Sequence, residues 1–199
     1  MFRLYSPRRA ESVLRKRAGE IRAAADRYSV PAAVLKAILY KELTEIDALD
    51  VLADLAVRFY WLRYFLRNRP PLLRRGVLGR RDSSTGHAQI FGWVAVNALK
   101  SAAEHGLPLP EGTPELDAPD TLGRVWKRLN RDRRFNLECC ALNLLVCAEE
   151  MTGRYGFDGC SEEELKLILT RDNADVRSVT PYGEAAYRHY LRCLSEGSR

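Results

Sequence analysis

"ILYKELTEID", residues 38–47, decides how this chain is read. Set on a helix, Leu35, Ile38, Leu39 and Glu42 fall at i, i+3, i+4 and i+7, one stripe that should face the core. The stripe is apolar until its last member, which is a carboxylate. A half-buried Glu near a helix C-terminus is disfavoured in its charged form twice, by lost hydration and by the negative end of the helix dipole, so its pKa should rise. A raised pKa is what a general acid needs if it is to hold a proton near neutral pH and pass it to a leaving oxygen. The alternative is a Glu at the end of the helix that snorkels to solvent or pairs with an arginine.

Outward from this stretch, helical periodicity dominates. Residues 9–28 carry Val13, Ala18, Ile21, Ala24 and Ala25 among charges and predict one amphipathic helix, closed by "SVP" at 29–31. The next runs over 31–43, with Pro31 in its first turn. A third spans 46–66, with Leu49, Leu52, Ala56, Phe59 and Leu66 on the side expected to pack. Asp47, Asp50 and Asp54 share the opposite side, which predicts a solvated acidic face. Residues 68–90 hold two prolines, three glycines and "DSSTG", and read as a long irregular loop. Helical patterns resume over 92–104, 121–129, 135–152, 161–170 and 181–194, with a proline-rich surface connection at 105–120. With no internal repeat and hardly any strand alternation, the reading is mostly α, one domain over residues 1–199.

Composition bounds the rest. A chain of 199 residues, 46% hydrophobic and 29% charged, can bury a core of its own. Its longest apolar runs fall short of the ~20 residues a membrane span needs. The opening "MFRLYSPRRAESVLRKRAGE" has basic residues but no apolar signal region, so a protein that is cytoplasmic as synthesised is expected. The five cysteines show neither C-x-x-C pairs nor metal-ligand spacing with histidine, so reduced thiols and no metal are expected. Formal net charge is +6, and between Arg58 and Arg81 stand eight arginines with no acid among them. A basic helical module that binds nucleic acid or another polyanion is therefore the competing class of function. Against nucleic acid, no helix-turn-helix with a basic recognition helix and no aromatic platform accompany the arginines.

Two motifs in order carry a resemblance. Ala24 to Glu42 has the form AAxxYxVPxxxLxAIxxxE, and some forty residues later Ser83 to Ile90 has the form SSxGxxQI, followed by a helix. This resembles the lysozyme-like superfamily of lytic transglycosylases and goose-type lysozymes. The match covers residues 18–100 well and 134–192 loosely, leaving 1–17 as an N-terminal helical extension. What it implies is a lysozyme-like domain with a long loop around a substrate cleft, and Glu42 as the catalytic acid. It also implies Ser84, with Ser83 as the alternative serine, Gly86 and Gln89 in the saccharide cleft, and His87 able to touch substrate. "RFNLECCALNLL", residues 134–145, resembles the segment where the family has an Asn-Ile/Leu pair, here Asn136 and Leu137. "TPYGEAAYRHYL", residues 180–191, resembles the closing segment, which offers Tyr182 and Tyr187 to the cleft. Three departures stand out: Leu43 replaces the usual serine after the acid, His87-Ala88-Gln89 replaces the usual Leu-Met-Gln, and the intervening region is rich in arginine.

The implied substrate is the β-1,4 bond between N-acetylmuramic acid and N-acetylglucosamine in peptidoglycan, cleaved without cofactor by a monomer. Because the substrate lies outside the membrane, the protein would act at the wall after release or non-standard export. The number of carboxylates fixes the outcome. Glycosidases generally need two, one acid and one base or nucleophile. If Asp47, Asp50 and Asp54 all stay outside the cleft, Glu42 acts alone as acid and then base, and the sugar's own hydroxyl closes an anhydro product. If one enters, it can serve as the second carboxylate and hydrolysis becomes accessible. A third reading keeps the fold with an inactive cleft that only holds glycan. His105 and His189 are expected in surface or helix-packing roles, His189 facing out of the last helix.

Overall fold

A computed structural model describes residues 3–67 and 80–197. Nine helices and one two-stranded hairpin make up the regular structure of these residues, so the chain is mostly α. In order they are α1 (Pro7–Lys16), α2 (Ala18–Arg27), α3 (Ala32–Glu45), α4 (Ala48–Arg67), β1 (Ser84–Thr85), β2 (Ile90–Phe91), α5 (Gly92–Glu104), α6 (Thr121–Arg131), α7 (Arg133–Thr152), α8 (Glu162–Asn173) and α9 (Pro181–Gly197).

The helix expected over 9–28 is two. The chain turns at Arg17 (φ −108°, ψ 9°), whose amide donates to the carbonyls of Val13 and Leu14. The turn lets α1 lie on α3 while α2 reaches α7. In the segment expected to be irregular, residues 68–79 lie outside the described residues, and the rest contains the hairpin, pairing Ser84 with Phe91 and Thr85 with Ile90.

Helix α7 is the axis of the molecule. From Phe135 to Ala148 it is buried nearly all round, and its buried polar members Asn136, Glu138 and Asn143 are each hydrogen-bonded. Asp132 caps it by accepting from the Phe135 amide (3.1 Å), and Gly153 closes it in the left-handed conformation. Around it pack α2, α5, α6 and α8, while α9 bridges α3 and α8. Gly183 permits that bridge. A Cβ there would come within 1.9 Å of Thr170 Oγ1 and 2.8 Å of the Lys166 carbonyl oxygen.

A second, smaller core joins α4 to α6 through Val57, Tyr60, Trp61 and Trp126. It turns α4 over relative to expectation. Ala53, Ala56, Val57, Tyr60 and Trp61 face inward, whereas Leu49, Leu52, Phe59 and Leu66 point to solvent, Leu66 at 75% exposure. Large aromatic side chains bury more area than leucines, and Gly123 lets the Trp61 ring lie directly on α6. The two tryptophans also grip the chain before the hairpin. Trp61 Nε1 donates to the Arg81 carbonyl (2.8 Å), and Trp126 Nε1 to Ser83 Oγ (3.1 Å).

Candidate active site

A cavity of about 630 Å³ opens between the end of α3, the start of α4, the hairpin and helices α5, α7 and α8. Glu42, Ser84 and Gln89 line it, so the acid of the first motif and two polar residues of the second share one space. Glu42 keeps part of its side chain open to the cavity and is otherwise enclosed by protein. Burial pushes its pKa up to about 8, the nearby charges of Asp172 and Glu45 add to the rise, and a hydrogen bond from Tyr182 opposes it. At neutral pH the side chain therefore keeps its proton in most molecules.

The hydrogen bond from Tyr182 fixes the carboxyl. Tyr182, in the first turn of α9, donates its hydroxyl to Glu42 Oε1. Burial, and then the charge of Glu42, hold the phenol well above its ordinary pKa, so it remains a donor across the working range. Oε2 is left as the oxygen that can carry and deliver the proton.

The inverted α4 changes the account of the aspartates. Asp47 and Asp50 do not lie on a solvated face. Both line the cavity, Asp47 at 6% exposure. They cap α4 reciprocally: Asp47 Oδ1 accepts from the amides of Leu49 (2.7 Å) and Asp50 (3.2 Å), and Asp50 Oδ2 accepts from the Asp47 amide (2.9 Å). Asp54 points inward too, but to the hairpin rather than the cavity. Its oxygens accept from Ser83 Oγ (2.7 Å), Thr85 Oγ1 (2.7 Å) and Asn130 Nδ2 (3.2 Å). This clamp takes Ser83 out of the cleft, where its role as the alternative serine would have placed it; it is 3% exposed.

Four further expected positions fall elsewhere. Gly86 turns the hairpin at φ +75° with Asn136 so close behind it that a Cβ would lie 2.4 Å from Nδ2, which explains the glycine without any ligand. His87 sits in a separate small cavity with Leu14, Leu39, Leu43 and Leu137. Tyr187 lies beside the ring of Tyr190, with the Lys166 ammonium over its face, and outside the cavity lining. His189 does not face out; it is buried, stacked on Tyr40 with ring centroids 3.7 Å apart. Asn136 acts through the hairpin, donating to the Thr85 carbonyl (3.0 Å) and accepting from the Ala88 amide (3.0 Å).

Gln89 is held under constraint. Its backbone lies at φ 43°, a conformation uncommon outside glycine, and its side chain accepts from Ser84 Oγ (3.2 Å) while donating to the Gly86 carbonyl (2.6 Å). The two cleft residues of the second motif are thus mutually positioned before any ligand arrives.

Sequence reasoning missed Asp172, in the last turn of α8. It lines the cavity, accepts from Asn143 Nδ2 (2.8 Å), and burial pushes its pKa up to about 6 against the opposing effects of that hydrogen bond and Arg171. It is the second carboxylate placed to influence Glu42 directly. The signal was weak, because "TRDNAD" reads as the polar end of any helix. Among lining side chains, Glu42, Glu45, Asp47, Asp50, Glu150, Asp172 and Asp175 against Arg171 leave the wall predominantly acidic.

None of the five cysteines is in a disulfide, and burial raises the thiols of Cys139, Cys140 and Cys147 well above their ordinary pKa, which leaves them unreactive. Among the described residues no cluster of side chains could hold a metal ion, and no helix is long and apolar enough to cross a membrane. No family model matches the chain, and no curated protein or solved structure matches it either.

Proposed function

We propose that the protein is a glycosidase that cleaves the β-1,4 bond between N-acetylmuramic acid and N-acetylglucosamine in peptidoglycan, with Glu42 as its acid. One observation carries the chemistry: a carboxyl open to a large cleft, protonated near neutral pH and oriented by Tyr182. The substrate rests on the resemblance of the Ala24 to Glu42 and Ser83 to Ile90 segments. The acidic wall weighs against the competing polyanion in this cavity, since phosphates would meet carboxylates there.

In the first step Glu42 Oε2 gives its proton to the glycosidic oxygen as the bond to the anomeric carbon breaks. The carboxylate so formed then takes a proton from the muramoyl 6-hydroxyl, whose oxygen closes onto the anomeric carbon. Glu42 is restored, and a 1,6-anhydro end results. We favour this transglycosylase outcome because Asp47 and Asp50, although inside the cleft, each commit one oxygen to capping the start of α4. Asp172 supplies charge that keeps Glu42 protonated. Ser84 and Gln89 offer a hydroxyl and an amide to sugar hydroxyls or N-acetyl groups.

The test is Glu42→Gln, which keeps the shape of the side chain and removes the proton. Wall lysis should fall by about a hundredfold or more, with unfolding otherwise that of a folded chain. A variant that keeps a larger share of activity overturns the assignment. Mass spectrometry of the digest reads the outcome: anhydro ends support the single-acid route, and only reducing ends would assign water activation to a cleft aspartate.

A further inference from the structure

The described exposed positions of α4 from Leu49 to Leu66 are leucine, valine, phenylalanine or arginine and nothing else. Val51, Leu52, Leu55, Phe59, Leu62 and Leu66 are 50%, 56%, 49%, 58%, 52% and 75% exposed, which makes the stripe the largest concentration of exposed apolar side chains among the described residues. Leu52, Leu55, Phe59, Leu62 and Leu66 follow one another at three- and four-residue steps, a continuous ridge along a helix of 20 residues, about 30 Å long. A stripe of this extent on a soluble surface marks something it meets.

Charge indicates what that is. At about 100° per residue, Arg58 and Arg63 fall on the two edges of the ridge, one on each side. Arg58 donates to Asn130 Oδ1 (2.8 Å), which holds its guanidinium at the rim. Beyond the helix, Lys127 lies over the half-exposed Phe65 ring, so the basic rim continues onto α6. The acids of α4, Asp50 and Asp54, are turned to the cleft and the hairpin. Two copies laid ridge to ridge would bring arginine edges together, which disfavours self-pairing.

We propose that this face of α4 docks on an anionic lipid bilayer, the helix lying in the interface with the leucine ridge among the acyl chains. Arg58 and Arg63, their stems along the apolar surface, reach back to lipid phosphates on either side. The proposal stands independently of the chemistry assigned to Glu42. The ridge explains why leucines that could have been core on a simple amphipathic helix are left outside. Both sides of α4 are apolar, and each has its own medium.

The experiment is co-sedimentation of the full chain with vesicles of phosphatidylglycerol and phosphatidylcholine in equal parts, against vesicles of phosphatidylcholine alone. The chain should pellet with the anionic vesicles, release as salt rises, and bind the neutral ones much less. Leu55→Glu combined with Leu62→Glu should weaken binding by at least about tenfold with circular dichroism unchanged, because both side chains project into solvent. Arg63→Glu alone should remove much of the salt-sensitive part and leaves the ridge intact. Equal binding to neutral vesicles, or undiminished binding by the double variant, overturns the proposal. So does a wild-type chain that ignores vesicles and instead forms a dimer, or captures an acid-flanked amphipathic helix, through the same leucines.

Discussion

Removing one oxygen tests the central geometry. In Tyr182→Phe the ring still fills its place on α9, and Glu42 loses the hydroxyl that donates to Oε1. That bond favours the ionised carboxyl and so lowers its pKa against the larger effect of burial. A hydrogen bond to a charged group is worth about 1.5–3 kcal/mol, which at about 1.4 kcal/mol per unit corresponds to roughly one to two units. The protonated carboxyl accepts from the same hydroxyl and retains part of that energy, so the expected rise above about 8 is roughly one unit. Catalysis needs protonated Glu42, so kcat/KM on solubilised peptidoglycan should fall as pH rises through about 8 in the wild type. In the variant it should fall roughly one unit higher, and turnover at neutral pH should drop because the carboxyl is no longer oriented. A carbon-13 titration of the Glu42 carboxyl, its resonance assigned with Glu42→Gln, gives the same midpoint without reference to activity. A midpoint that stays in place or moves down would refute the account of how this site is tuned.

Asp172→Asn should shift the same titration the other way, since its negative charge helps keep Glu42 protonated, and the alkaline limb of kcat/KM should move to lower pH. Stability should also carry the signature of Glu42. The folded state holds a proton up to about 8 that the unfolded chain releases near 4.5, so this group costs stability as pH rises between those values and adds no slope outside them. Urea unfolding of Glu42→Gln against wild type should therefore show the variant gaining relative stability from pH 5 to pH 8; parallel curves would contradict the burial. Asp54→Ala should destabilise the fold by about 3 kcal/mol through loss of its bonds to Ser83 and Thr85, with the pH profile of any remaining activity unmoved. A profile that shifts would give Asp54 a place in the chemistry.

Several features were legible in the sequence because they are local. The spacing of Leu35, Ile38, Leu39 and Glu42 is a property of one helix, and a carboxylate at the end of an apolar stripe is forced to the edge of a core whatever packs there. Capping is equally local. Ser161 with Glu164, and Asp132 before α7, act within a single turn. The glycine of the second motif stood in a segment read as a loop, and Gly86 does turn the chain there, at φ +75°.

Only the tertiary structure could decide which side of α4 faces inward. Its sequence offers two apolar sides, leucines on one and Val57, Tyr60 and Trp61 on the other, and periodicity cannot rank them. The choice was made by Trp126 and Gly123 on α6, some sixty residues away, whose surface receives the Trp61 ring. Once α4 turned that way, Asp47 and Asp50 went to the cleft and Asp54 to the hairpin, while Ser83 was drawn from the site into the clamp. Asp172 stood beyond reach for the same reason, and Tyr182, which the resemblance offered to the cleft, could not be read from the sequence as the partner of Glu42. Their meeting with Glu42 depends on how closely α8 and α9 approach at Gly183, and a burial that raises a pKa belongs to the packed assembly, not to any one segment of chain.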